Sequence, residues 1–438
     1  MIAQTTAGAV RGRSTGAVVH FAGIPYATAA RFARPSPPAA WTGTRDALAP
    51  GPIAPQPPSR LERVMGPLRH TAQSEDCLTA DVWTPGADDA RRPVLVWLHG
   101  GGFSSGSGSA DWYDGTLLAA RGDLVVVTVN YRLGALGYAY VPDAPAPANR
   151  GLLDMRAALE WVRDNAAAFG GDPGRVTVAG QSGGALSIVP LLDSGLFRRA
   201  ILQSGPFAIR PWSSSAAAEF AARLGDGLHD MPVDRLLAAQ QEVARATAAA
   251  GPNPFEVTPP FMLVADGDLV TEDPIGTALA RRPEVELLAG WTRDELAAFV
   301  AGDPRFEAVG KEQVIRAARD WYGDDAERRY QEVGAATPAK TVLALATGAA
   351  FSRDTLRLAG GLPTTLYRFD WRPVGSPFGA CHCLDLPFVF GNAEAWREAP
   401  MVPGGVLPAG LVEQVQSTWI AFTRGDRRPA GPIVFDAR

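Results

Sequence analysis

The sequence predicts an α/β fold with a mostly parallel central sheet flanked by helices. Three observations carry that reading. Short apolar runs rich in β-branched residues alternate with helix-length stretches, two of those runs end abruptly in glycine-rich turns, and 438 residues suffice to cover both faces of such a sheet. Arg92–Leu98 reads as a buried strand, followed by strands at 124–130, 175–179 and Arg199–Gln203, with a helix over 150–169 between them. Alternation of this kind gives parallel pairing through right-handed crossovers. Residues 285–290 and Thr364–Phe369 read as later strands, and 411–424 as the closing helix. Ahead of the alternation, residues 5–90 read as N-terminal hairpins with a proline-rich connection from Pro35 to Pro58. Two Ala-rich helical segments, about 206–284 and 297–362, have the character of caps on a single domain spanning 1–438. There are no internal repeats.

The chemistry begins at Val176-Thr177-Val178-Ala179-Gly180-Gln181-Ser182-Gly183-Gly184-Ala185. This is a β-rich run leading into G-x-S-x-G, with a helix expected from Ala185 onward. The pattern marks a sharp strand-to-helix turn that lifts a serine hydroxyl into a cleft, and small flanking residues let the backbone make that turn. Glycine and serine are common in loops, so the motif by itself also fits an ordinary turn. A second motif changes the balance. The strand Arg92–Leu98 runs into His99-Gly100-Gly101-Gly102-Phe103, and consecutive glycines leave backbone N–H groups free to point at one spot. Such donors stabilise the alkoxide formed when a serine attacks an acyl carbonyl. A phosphate cradle fails on detail, because neither G-K-S/T nor G-x-G-x-x-G is present here.

A nucleophilic serine needs a general base. Of the five histidines, His20, His70, His99, His229 and His382, only His229 and His382 follow Ser182, as the chain order Ser, acid, His requires. His229 sits in a polar, turn-rich segment. His382 sits in a glycine-started loop running into the apolar stretch Leu384-Asp385-Leu386-Pro387-Phe388, a better place for an oriented imidazole. The acid falls between them, just past the strand at 285–290, where Asp294 and Glu295 compete on the residues alone. The same pair would also suit the opening turn of a helix.

Together these motifs resemble the type-B carboxylesterase family of bacterial para-nitrobenzyl esterases, animal carboxylesterases and cholinesterases. The resemblance runs nearly end to end. It takes in Phe21-Ala22-Gly23-Ile24-Pro25-Tyr26-Ala27, Ser74-Glu75-Asp76-Cys77-Leu78, Asn130-Tyr131-Arg132-Leu133-Gly134, Phe169-Gly170-Gly171-Asp172-Pro173 and Ile201-Leu202-Gln203-Ser204-Gly205. It implies an α/β-hydrolase fold with shortened cap-like helical insertions. The implied activity is hydrolysis of carboxylic esters of small to medium hydrophobic compounds through an acyl-enzyme. It implies Glu295 as the acid beside Ser182 and His382, and the amides of Gly101, Gly102 and Gly183 as oxyanion donors. Ser204 matches a serine that bonds the acid in relatives, Phe103 and Gln181 border the substrate site, and Asp76 and Arg132 match a buried ion-pair network. The departures are Gln181 where the family has Glu, Gly183 where it has Ala, and no aromatic residue in 63–69, which speaks against choline esters. The same triad would also serve a biosynthetic acyltransferase or lactonising enzyme, or, with less support since all three triad positions are filled, a non-catalytic binding protein.

Composition narrows the partners. A net charge of −5 gives no reason for nucleic-acid binding, and no run is long enough to span a membrane. The expected partner is a small-molecule ester, with the protein a monomer or homodimer and no cofactor. Cys381-His382-Cys383 has the wrong spacing for zinc, so no metal is expected. The N-terminus shows neither a basic n-region nor an apolar h-region, and the three cysteines, Cys77, Cys381 and Cys383, suit a reducing cytoplasm. Abundant Ala, Arg, Gly and Pro against scarce Lys suggest a bacterial source.

Overall fold

The apolar runs become the strands of one large twisted sheet. In the computed structural model, residues are described throughout except 70–71, 251–257, 427–430 and 438, so His70 and the 251–257 part of the first cap segment lie outside the described residues. The sheet strands are β1 Arg13–Ser14, β2 Val19–Pro25, β3 Thr79–Thr84, β4 Arg92–Leu98, β5 Val125–Val129, β6 Gly171–Gln181, β7 Arg199–Gln203, β8 Glu286–Thr292, β9 Thr364–Phe369 and β10 Ile433–Phe435. Their spatial order is β10-β9-β8-β7-β6-β4-β5-β3-β2-β1. From β5 to β10 all neighbours are parallel, and the antiparallel β1, β2 and β3 close one edge.

Period-two alternation splits the core between the two faces. Val94, Val96 and Leu98 of β4 join Val125, Val127 and Val129 of β5 on one side, while Leu95, Trp97 and Val126 belong to the core on the other. Helices cover both sides, so β4 and β5 are buried at every position, and their near-continuous apolar runs follow from that. The helix Arg150–Asn165 packs on the first face, and Ala409–Arg424 on the second through Leu411, Val415 and Trp419.

Two strands depart from expectation. β6 begins at Gly171 because Gly171 pairs with Arg92, extending a strand whose polar, proline-containing start reads as a loop. β10 was not expected; only three residues long, it is held by parallel pairing with β9 and by Phe435, which is fully buried. In the first cap segment, a short parallel ribbon of Trp212–Ser213 with Val264–Ala265 accompanies the helices. In the second, Lys311–Tyr322, Ala326–Val333 and Pro338–Thr347 share a small core of their own around Val314, Ala318, Val342 and Leu345.

The expected ion-pair network needs correction. Asp76 is exposed, and Arg132 pairs instead with Asp154 on the helix Arg150–Asn165. The pair is buried and bidentate, with Nε to Oδ2 at 2.8 Å and Nη2 to Oδ1 at 2.6 Å, and the Arg132 backbone N–H also donates to Oδ2 at 3.1 Å. In the segment around Asp76 it is Glu75 that bonds a guanidinium, that of Arg31. Removing one partner of a buried pair strands the other charge, so Asp154→Ala is expected to destabilise the fold by about 3–5 kcal/mol in urea titration.

Candidate active site

Parallel strands place loops at one end of the sheet, and four of them converge here. Following β4, the chain passes to β5 on one side and then to β6 on the other, so a crevice opens at the C-terminal ends of β4 and β6. The chain leaves β6 at Gln181 and turns into the helix Gly183–Ile188 through Ser182, whose φ of 55° and ψ of −120° are strained for a side-chain-bearing residue. The turn is forced by contact. A Cβ on Gly184 would lie 2.2 Å from the carbonyl oxygen of Leu98, so the helix start rests directly on the end of β4. Only glycine permits that approach.

The same contact sets the His99–Phe103 loop beside Ser182. Gly101, at φ 121°, could not carry a Cβ, which would fall 1.8 Å from the Ser105 carbonyl oxygen. Its own carbonyl accepts the Ser104 and Ser105 amides at 3.2 and 3.1 Å. Tyr131 donates its hydroxyl to the His99 carbonyl at 2.6 Å and stacks on the His99 ring, while burial pushes the His99 pKa down to about 4. His99 is therefore a neutral anchor for the loop. Among the described residues, no hydrogen bond consumes the N–H groups of Gly101, Gly102 or Gly183. A Cβ on Gly183 would sit 3.5 Å from the Phe103 nitrogen and 3.7 Å from the Gly102 nitrogen, so these donors lie together at the helix N-terminus.

The loop after β9 brings in His382, and the loop after β8 brings in Glu295. Both are buried, at 1% and 0% exposure. His382 Nδ1 lies 2.5 Å from Glu295 Oε2, and Glu295 Oε1 accepts the Thr292 amide at 2.8 Å. Asp294, the competing carboxylate, points elsewhere: it accepts the Ala380 amide at 2.9 Å and bonds Arg293. It ties down the histidine loop without reaching the imidazole. His229 is exposed and packs edge-on against Phe32, away from the cavity.

With its Nδ1 proton on Glu295, His382 presents Nε2 as an acceptor. In this structure that nitrogen faces the Gln181 side-chain amide at 3.1 Å, and the same amide also donates to Cys383 Sγ at 3.2 Å. Ser182 Oγ makes no hydrogen bond among the described residues. Burial works against a charged imidazole, but Cys383 and Glu295 outweigh it, and the His382 pKa is raised well above its ordinary 6.5. Phe299 and Phe351 flank the ring, each with its centroid 5.4 Å away. Phe351 comes from a π-helical turn, Gly348–Ser352, that carries the second cap segment to the site.

The expected role of Ser204 is not found. Its Oγ is buried without a hydrogen-bond partner among the described residues; the residue sits at φ 49° with its N–H donated to the Gly290 carbonyl. Missed from the sequence was Asp385, fully buried behind the site, where Oδ2 accepts from Gln203 at 3.0 Å and Tyr367 at 3.1 Å. Burial, with the Glu295 charge nearby, pushes its pKa up to about 6. A carboxylate inside an apolar run was the available signal.

Ser182, His382, Gly101, Gly102, Phe103 and Gln181 all line one cavity of about 760 Å³. Among the described residues no group of three or more His, Cys, Asp or Glu is placed to hold a metal, and no helix is long and apolar enough to cross a membrane.

A mostly parallel sheet with a strained serine turn after one strand, and a histidine and a carboxylate on the loops after two others, defines an α/β-hydrolase. The model of the carboxylesterase family matches residues 1–426; the chain belongs to that family and is a carboxylic ester hydrolase. It is 42% identical to a probable N-octanoylanthranilate hydrolase of Rhodococcus erythropolis, over 90% of this chain and 86% of that protein. It is 35% identical to the para-nitrobenzyl esterase of Bacillus subtilis, over 97% and 89% of the two chains. Among solved structures, a thermophilic para-nitrobenzyl esterase superposes with a TM-score of 0.85 at 32% identity, covering 100% of this chain and 96% of that one.

The space at Gly183 yields an expectation. A methyl group there makes only ordinary contacts, so Gly183→Ala should fold normally and gain about 0.4–1 kcal/mol from the restricted unfolded chain, read as a rise in thermal midpoint.

Proposed function

We propose that this protein hydrolyses carboxylic esters of small to medium hydrophobic compounds through a Ser182–His382–Glu295 triad and an acyl-enzyme. The observation that carries the reading is the buried 2.5 Å contact between His382 Nδ1 and Glu295, set in the same cavity as the strained Ser182 turn. Glu295 holds the imidazole in the tautomer with Nε2 free and stabilises the imidazolium formed later. For attack, Nε2 exchanges the Gln181 amide for the Ser182 hydroxyl, takes its proton, and Oγ adds to the ester carbonyl. The resulting oxyanion is met by the amides of Gly101, Gly102 and Gly183, at roughly 3 kcal/mol per donor. His382 then protonates the departing alcohol. Water, deprotonated by the same nitrogen, attacks the acyl-Ser182 ester, and the acid leaves as the serine is reprotonated.

The cavity volume suits a drug-sized substrate. The relative named for N-octanoylanthranilate makes medium-length acyl groups on aromatic leaving groups the first substrates to try. Three cysteines without disulfide partners suit a cytoplasmic setting.

Burst and steady-state kinetics on para-nitrophenyl esters of increasing acyl length test the reading. Ser182→Ala should lose on the order of 10⁶ in kcat, and Glu295→Gln roughly 10⁴, while Asp294→Asn should be milder. Retained turnover in Ser182→Ala, or the reverse ranking of the two carboxylates, would refute the assignment.

The raised His382 pKa sets the pH dependence. A general base works when unprotonated, so kcat/KM should fall as pH drops through the elevated value, placing the acid limb above 6.5. Gln181→Glu puts a negative charge beside the imidazolium and should move that limb to still higher pH.

A further inference from the structure

Esterase chemistry needs no guanidinium in the cleft, yet one stands there without a partner. Arg60 lies in the turn before the short helix Glu62–Met65 and lines the cavity that holds Ser182. Its Nη2 is 3.5 Å from the position a Cβ on Gly102 would take, so the charge sits against the oxyanion loop. Four arginines line the cavity, Arg60, Arg69, Arg210 and Arg353, against two acids, Glu62 and Asp320. Three of the arginines are engaged. Arg69 bonds Asp111 at 3.5 Å, Arg210 bonds Asp273 at 2.7 Å, and Arg353 donates to the Trp321 carbonyl at 2.8 Å. Arg60 makes no hydrogen bond and no ion pair with any described residue.

The residue is exposed along the cavity wall, and its guanidinium stays charged. Exposed along the cavity and without a bonding partner among the described residues, the charge is available to an anion that enters the cleft. The planar fork of an arginine matches a carboxylate with two parallel N–H bonds. With a single free guanidinium, the balance favours a monoanion.

We propose that Arg60 receives a carboxylate on the substrate, so that the preferred substrates are acyl compounds bearing an anionic carboxylate a few bonds from the scissile carbonyl. The identity of that carbonyl rests on the esterase reading above; the anion site itself does not.

The test compares matched pairs with and without the charge: 2-(butanoyloxy)benzoate against phenyl butanoate for a carboxylate on the leaving group, and 4-nitrophenyl hydrogen succinate against 4-nitrophenyl butanoate for one on the acyl group. The readout is the ratio of kcat/KM values, anionic over neutral, after subtracting the uncatalysed rate. Arg60→Gln should lower this ratio by about 10- to 100-fold in at least one pair, as expected for a hydrogen bond to a charged group, and Arg60→Lys should fall between. An unchanged ratio in both pairs, even with both rates reduced, overturns the proposal. Calorimetric titration of Ser182→Ala with 2-(butanoyloxy)benzoate decides the anion site without turnover. Affinity should drop about tenfold or more in Ser182→Ala/Arg60→Gln and weaken with salt. Equal affinity in the two proteins overturns the proposal. Absence of Ser182-dependent hydrolysis on every ester would instead refute the esterase reading and leave this titration to decide the anion site.

Discussion

The architecture of the site depends on one close approach, that of the helix Gly183–Ile188 to the end of β4. Because Gly184 lies against the Leu98 carbonyl, the chain leaving β6 has no gradual path into its helix. Ser182 absorbs the turn at positive φ, and its side chain stands over the crevice between β4 and β6. The cost of that strained backbone is met by what surrounds it: the Ser182 amide bonds the Gln203 carbonyl at 2.9 Å, and the flanking strands are buried at every position but Arg199. The same contact aligns the glycine loop with the helix start, so Ser182 and the free amides of Gly101, Gly102 and Gly183 are positioned by a single packing event.

Electrostatics behind the serine follow from burial. Glu295 has a backbone amide on one oxygen and the imidazole on the other, which is how a carboxylate with no solvent exposure stays acceptable in the interior. A second carboxylate, Asp385, lies close behind, and burial, with the Glu295 charge adding to it, pushes its ionisation toward neutrality. Gln181 adds an amide where a carboxylate would have added a third negative charge. Its contact with His382 Nε2 occupies the lone pair that the proposed mechanism gives to Ser182, so the imidazole has a neutral neighbour on that side.

Much of the fold was legible because parallel strands buried on both faces must be continuous apolar runs. The strand at Arg199–Gln203 coincides with its expected bounds for that reason; Thr364–Phe369 coincides too, although it is buried only at alternate positions. The extension of β6 to Gly171 and the strand at Ile433–Phe435 were not legible, since both exist only through pairing with a neighbour. Asp76 shows the limit of carrying a role by position: its neighbours Cys77 and Leu78 are buried, but the carboxylate faces solvent and Arg132 finds Asp154 across the fold.

By itself the sequence singled out the residues to which the proposed chemistry is assigned. G-x-S-x-G after a strand, H-G-G-G-F after another, and a histidine late in the chain identify chemistry, because each needs particular residue types at fixed local spacing. Selection between Asp294 and Glu295 by direct contact, the engagement of Gln181 with the base and the unpartnered Arg60 in the cleft were decided only by tertiary structure. Adjacent carboxylates have the same local sequence environment, and which one meets His382 depends on how two loops from separate strands are aimed. A cation is free or paired according to which distant carboxylates the fold brings within reach, a property that no local pattern in the chain encodes.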